Sequence, residues 1–187
     1  MKRIRVTMQS TVKIFLMFLA VSMPLFSAFP GITAMGGHFG SVKTSLTRDN
    51  SLSVGLNASI DNLKPKLILR PYLDFWRQQF DKNESEQHNW MLFALGLSAV
   101  KPFNLNNSKA VPYVGGGLGM HLNKSSISSA NSPTRSDEYE FDLSLHAVVG
   151  LDLPLNTRLN GFIELKYALA GVADYFGGWL GIKYNLI

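Results

Sequence analysis

Residues Glu138 to Leu153 alternate without a break. Tyr139, Phe141, Leu143, Leu145, Ala147, Val149, Leu151 and Leu153 are apolar; Glu138, Glu140, Asp142, Ser144, His146, Gly150 and Asp152 are polar or small, with Val148 the exception. Successive side chains of a strand point to opposite faces, so this pattern predicts a ribbon with one greasy and one wet face. On a helix the same residues would scatter around the axis and form no stripe. The same two-residue period recurs along the chain. It predicts strands over Gly36–Leu46, Ser51–Asp61, Lys66–Gln78, Trp90–Val100, Val111–Asn123, Arg158–Leu169 and Asp174–Ile187. The polar stretches between them, 62–65, 80–89, 101–110, 124–137, 154–157 and 170–173, read as turns and loops.

Eight two-faced ribbons joined mostly by short connections predict an all-β fold, an eight-stranded antiparallel up-and-down barrel. The pattern alone leaves open which face is inside. A soluble lipocalin-like barrel turns the apolar face inward around a small apolar ligand; a transmembrane barrel turns it outward to lipid. The polar face favours lipid outside. It carries both charge signs in mid-strand, at Arg70, Asp74, Glu140, Asp142, Glu164, Lys166 and Lys183. It is also rich in glycine, at 55, 96, 115, 117, 119, 150 and 181, as a crowded interior requires. The two longest connections, 80–89 and 124–137, fall on one side, as the outer loops of a bacterial barrel do. Tyr139, Tyr167, Tyr184, Phe75 and Phe103 lie near strand ends, where an interfacial aromatic girdle belongs.

The start of the chain adds export to this picture. Lys2, Arg3, Arg5 and Lys13 precede the apolar run Ile14–Phe26, which is followed by small residues at Ala28, Gly31, Ala34 and Gly36. This predicts a secretory signal peptide over 1–34, with cleavage between 28 and 36, and a barrel domain over 35–187. The apolar run is short for a membrane-spanning helix. The four basic residues also account for most of the net charge of +5, leaving +1 for the rest, so no nucleic-acid partner is expected. The chain has no cysteine, which removes disulfides, thiolate metal sites, a cysteine nucleophile and a lipidated N-terminal cysteine.

Candidate chemistry is sparse. Asp142, Ser144 and His146 share one face of one strand and are the residue types of a hydrolase triad. Neighbours two apart on a strand sit about 6.6 Å apart, beyond hydrogen-bond reach, so a polar lumen network is expected instead of catalysis. That network comprises Arg70, Asp74, Glu140, Asp142, His146, Glu164, Lys166 and Lys183, with the acids meeting Arg70, Lys166 or Arg158. His38, His88, His121 and His146 lack metal-ligand spacing. No cofactor, metal or catalytic residue is expected. The glycine run 115–119 lacks the Gly-Lys-Ser/Thr ending and the helix of a phosphate loop.

Pro112–Gly119 (PYVGGGLG), Phe162–Leu169 (FIELKYAL) and Gly178–Ile187 (GWLGIKYNLI) resemble the small eight-stranded outer-membrane β-barrel proteins, of the OmpX, OmpA-barrel and opacity-protein type. The likeness covers about residues 36–187. It implies the outer membrane of a Gram-negative-type bacterium, contact with membrane lipid and lipopolysaccharide, and insertion by the barrel-assembly machinery. It further implies a structural or surface-interaction role, with an extracellular ligand met through loops 80–89 and 124–137. Eight strands leave an interior that side chains fill, so no wide pore is expected. A lipid-modifying enzyme is the other alternative.

Overall fold

The computed structural model describes residues 31–45, 49–63, 67–83, 86–105, 108–129, 132–171 and 173–186. Eight strands follow in chain order: β1 (Ile32–Thr44), β2 (Asn50–Leu63), β3 (Leu67–Asn83), β4 (Glu86–Pro102), β5 (Val111–Ser129), β6 (Ser132–Pro154), β7 (Leu159–Ala170) and β8 (Tyr175–Asn185). Each pairs antiparallel with its neighbour, and β8 pairs with β1 from Ala34↔Asn185 to Thr44↔Tyr175, which closes the barrel. Closure removes the sheet edges that an open all-β sheet would expose.

Two sets of strand bounds differ from expectation. The expected signal peptide lies largely outside the described residues. The first strand, expected from Gly36, begins at Ile32, and Ile32, Ala34 and Met35 are each paired in the ladder. The stretches 80–89 and 124–137, expected as loops, belong mostly to strands. β3 and β4 pair as far as Asn83↔Glu86, and β5 and β6 as far as Ser129↔Ser132. Their polar sequence misleads because alternation marks a strand only where its two faces meet different media.

The apolar face is outside. Leu145, Leu118 and Phe141 are 59%, 67% and 66% exposed, whereas Ser144, His146 and Val148 between or beside them in β6 are buried. A lipocalin-like barrel would have the reverse arrangement. The outward residues form rows across the strands. Phe75, Phe93, Leu122 and Phe141 make one wholly apolar row on β3–β6. The row above it is Arg77, Met91, Lys124 and Tyr139. There Arg77 donates to Asn89 Oδ1 at 2.9 Å, and Lys124 Nζ lies 5.1 Å from the Tyr139 ring centre. The change from grease to charge within one row fixes the upper rim of the apolar belt. Below it on β6 the outward series Phe141, Leu143, Leu145, Ala147, Val149 and Leu151 covers the ~9–11 residues that a tilted strand needs to cross a bilayer.

Strand lengths divide the barrel into two parts. β1, β2, β7 and β8 have 13, 14, 12 and 11 residues; β3, β4, β5 and β6 have 17, 17, 19 and 23. The surplus lies at the end holding the β3–β4 and β5–β6 hairpins. On β3, pairing with β2 reaches only Ser53↔Trp76; on β6, pairing with β7 reaches only Ser144↔Ala170. Above those rows a four-stranded ribbon stands up from the barrel. Its two outer strands pair with no third strand among the described residues.

Candidate functional site

The interior is built by the inward positions of each strand. Read upward along β3 they are Ile68, Arg70, Tyr72, Asp74, Trp76 and Gln78. At the bottom, Ile68 packs against Val100, Tyr113 and Val148. At the top, Trp76, Trp90, Leu92 and Tyr175 form an apolar plug. The Trp76 and Tyr175 rings are 5.0 Å apart, and His121 stands 5.6 Å from Tyr175. Gln78 spans this end, donating to Asp49 O at 2.8 Å and accepting from Thr44 Oγ1 at 3.2 Å.

Between these layers lies an ion network. Asp74, fully buried, receives Lys166 Nζ at 3.2 Å and His38 Nε2 at 2.5 Å. Below it, Asp152 receives Arg70 at 2.6 Å and Lys183 at 2.7 Å. Glu164 joins the two clusters, with an oxygen 3.9 Å from Lys166 and another 3.9 Å from Arg70. It also accepts the Tyr113 hydroxyl hydrogen bond at 2.9 Å. The three cations thus face three carboxylates, which is how a low-dielectric interior accommodates charge. Aromatic faces cover what the carboxylates leave open: Lys166 sits 3.6 Å from the Tyr72 ring centre and Arg70 4.0 Å from that of Tyr113.

Glycines make room for these rings. Tyr72 is opposite Gly96, Tyr113 opposite Gly150, and Phe162 opposite Gly181. A Cβ at any of the three would run into the ring across from it. A bulky inward side chain on one strand is matched by none on the next.

Of the eight residues expected in the network, the structure gathers Arg70, Asp74, Glu164, Lys166 and Lys183 into it. His146 is buried beside it, linked to Ser98 Oγ at 2.8 Å and Tyr72 OH at 3.4 Å. Two do not join. Glu140 is exposed near the top of β6, and Asp142 is half-buried at the rim, where its carboxylate accepts from the Leu143 amide at 2.8 Å. Arg158, expected as a partner for the acids, is exposed at the opposite end and donates to Tyr184 OH at 3.3 Å. The place expected for Glu140 and Asp142 is taken by Asp152, which sequence reasoning passed over, together with His38, Tyr72 and Tyr113. The available signal was an inward ring facing an inward glycine on the next strand, as at Tyr72–Gly96 and Tyr113–Gly150; Asp152 meets Arg70 of β3 and Lys183 of β8, neither of them next to β6, so no pattern of adjacent strands marks it.

Ser144 and His146, two apart on β6, do not pair with each other: Ser144 pairs with His121 Nε2 at 3.1 Å, and His146 pairs with Ser98. Both serine–histidine pairs are enclosed in the lumen and turned away from the outer face. Among the described residues no group of three His, Cys, Asp or Glu is placed to hold a metal ion.

No family model matches the chain, and no curated protein matches it by sequence. Solved structures do match by shape. Neisserial surface protein A superposes with a TM-score of 0.59 at 18% identity, over 83% of this chain and 97% of that one. Ail, the attachment invasion locus protein of Yersinia pestis, gives 0.56 at 17%, over 82% and 95%. A major outer membrane protein from Thermus thermophilus gives 0.54 at 11%, over 81% and 98%. The closed eight-strand order, the apolar exterior and the filled interior, with these likenesses, give the chain the fold of the small eight-stranded outer-membrane β-barrel proteins.

Proposed function

We propose that the chain is an integral outer-membrane protein that holds a β-ribbon outside the cell for surface interaction. The observation that carries this reading is the ribbon itself. Eight strands close one barrel, yet among the described residues only β3–β6 continue past it, and the continuation has two unpaired outer strands. Unpaired strand edges are sites where another extended chain can add hydrogen bonds. Short turns at the other end, such as 155–158 between β6 and β7, suit the periplasmic side.

The apolar belt is the lipid-facing surface, with Arg77 and Lys124 on its upper rim where lipopolysaccharide phosphates would lie. The barrel-assembly machinery is the expected inserting partner. The packed lumen supports a structural or binding role over diffusive transport. Ser144, His121, Ser98 and His146 are enclosed in the lumen, which weighs against lipid modification through these residues.

Fractionation of expressing cells, followed by protease shaving of intact cells, tests this reading. Recovery in detergent-extractable outer membrane, with cleavage confined to the β3–β4 and β5–β6 hairpins, is the expected result. Recovery in the soluble periplasm, or cleavage only after the outer membrane is permeabilised, overturns it.

A further inference from the structure

The ion network does not fill the lumen completely. A cavity offering about 20 Å³ to the centre of a water molecule lies among His38, Asn57, Arg70, Tyr72, Glu164 and Lys183. That is room for one occupant of water size. Two polar atoms of its lining residues are buried without a partner: Arg70 Nε, which can only donate, and Asn57 Oδ1, which can only accept.

For a neutral His38 ring, the neighbouring hydrogen bonds lead to the same assignment. Asp74 has only acceptors, so the 2.5 Å contact requires His38 Nε2 to carry the proton. In a neutral ring Nδ1 is then an acceptor, and the 3.1 Å contact from Asn57 must come from its Nδ2. The amide oxygen of Asn57 is left over, and it needs a donor.

From this the geometry points to a resident water molecule in the lumen, accepting from Arg70 Nε and donating to Asn57 Oδ1. A halide could accept from Arg70 but could not satisfy Asn57. A cation could meet Asn57 but would stand against the Arg70 guanidinium. Either ion would also leave one uncompensated charge in an interior whose three cations and three carboxylates already balance. Water alone complements both orphan groups and adds no charge. The site ties Asn57 of β2 to Arg70 of β3, and so links the two ion clusters through the cavity.

The test uses the protein labelled with 15N-arginine, purified from membranes in detergent. The Arg70 Nε–H is expected to show a laboratory-frame NOE to water with the sign of a long-lived bound molecule, and a rotating-frame peak of opposite sign that separates it from proton exchange. In Asn57→Leu, confirmed as folded by its heat-dependent migration, that peak is lost. A folded wild-type protein without the peak, or a peak unchanged in Asn57→Leu, overturns the assignment. Anomalous density in the cavity of bromide-soaked crystals also overturns it, in favour of an anion site.

Discussion

Lys166 Nζ stands 3.2 Å from Asp74 Oδ2, and neither side chain is more than 2% exposed. A buried cation that loses its carboxylate is stranded, and breaking such a pair costs about 3–5 kcal/mol. Asp74→Asn is therefore expected to destabilise the barrel by about that amount. The double variant Asp74→Asn with Lys166→Met removes the stranded charge and should recover much of the loss. Urea titration of the protein in lipid vesicles, followed by heat-dependent migration, measures both. Strict additivity of the two changes would show that the pair is not coupled.

Tyr72 and Gly96 make a second, steric pair. Gly96→Ala places a methyl group against the Tyr72 ring, and overpacking of this kind costs about 1–3 kcal/mol. Gly161→Ala is the comparison. Its added Cβ faces outward and has no neighbour closer than 3.7 Å, so the change should fall within about 0.5 kcal/mol. Equal effects at the two positions would mean that the ring does not need the glycine.

The outer face gives a depth-dependent expectation. Leu145→Arg puts a cation in the middle of the apolar belt and should cost about 2–4 kcal/mol in lipid. Tyr139→Arg lies on the charged rim row beside Lys124 and should cost about 0–1 kcal/mol. Folding yield into vesicles and the urea midpoint report the difference. A cost at Tyr139 equal to that at Leu145 would move the rim of the belt above this row.

Much of this was readable in the residues. From Leu143 to Val149 the alternation gave the correct inward and outward sets, because there one face meets lipid and the other a packed interior. The partners within the lumen were not readable. Asp152 and Glu140 look alike along β6, but only register with the other strands places Asp152 beside Arg70 and Lys183 and leaves Glu140 outside. The aromatic filling was visible only as exceptions, Tyr72, Trp76, Tyr113, Phe162 and Trp179 on a face otherwise polar or small. Ser144 shows the same limit from the other side. As one serine on a polar face it looks tolerant of change, yet it is 4% exposed and hydrogen-bonded to His121. The strand ends at 80–89 and 124–137 were hidden for a different reason. Alternating polarity marks a strand only where its two faces meet different media, and the sequence of these stretches is polar on both faces.

That division between belt and ribbon predicts that the two can be separated. β5 and β6 pair continuously through Ser126↔Asp137, and the rows that close the barrel lie well below this point. Replacing residues 127–136 with Asn-Gly joins Ser126 to Asp137 through a two-residue turn that suits a hairpin. The shortened protein is expected to insert into the outer membrane and keep its heat-dependent migration, because the ion network and Trp76 plug are untouched. The surface binding proposed for the ribbon should fall to the level of cells lacking the protein. Loss of folding would show that the ribbon supports the barrel. Full binding with normal folding would place the interaction elsewhere on the surface.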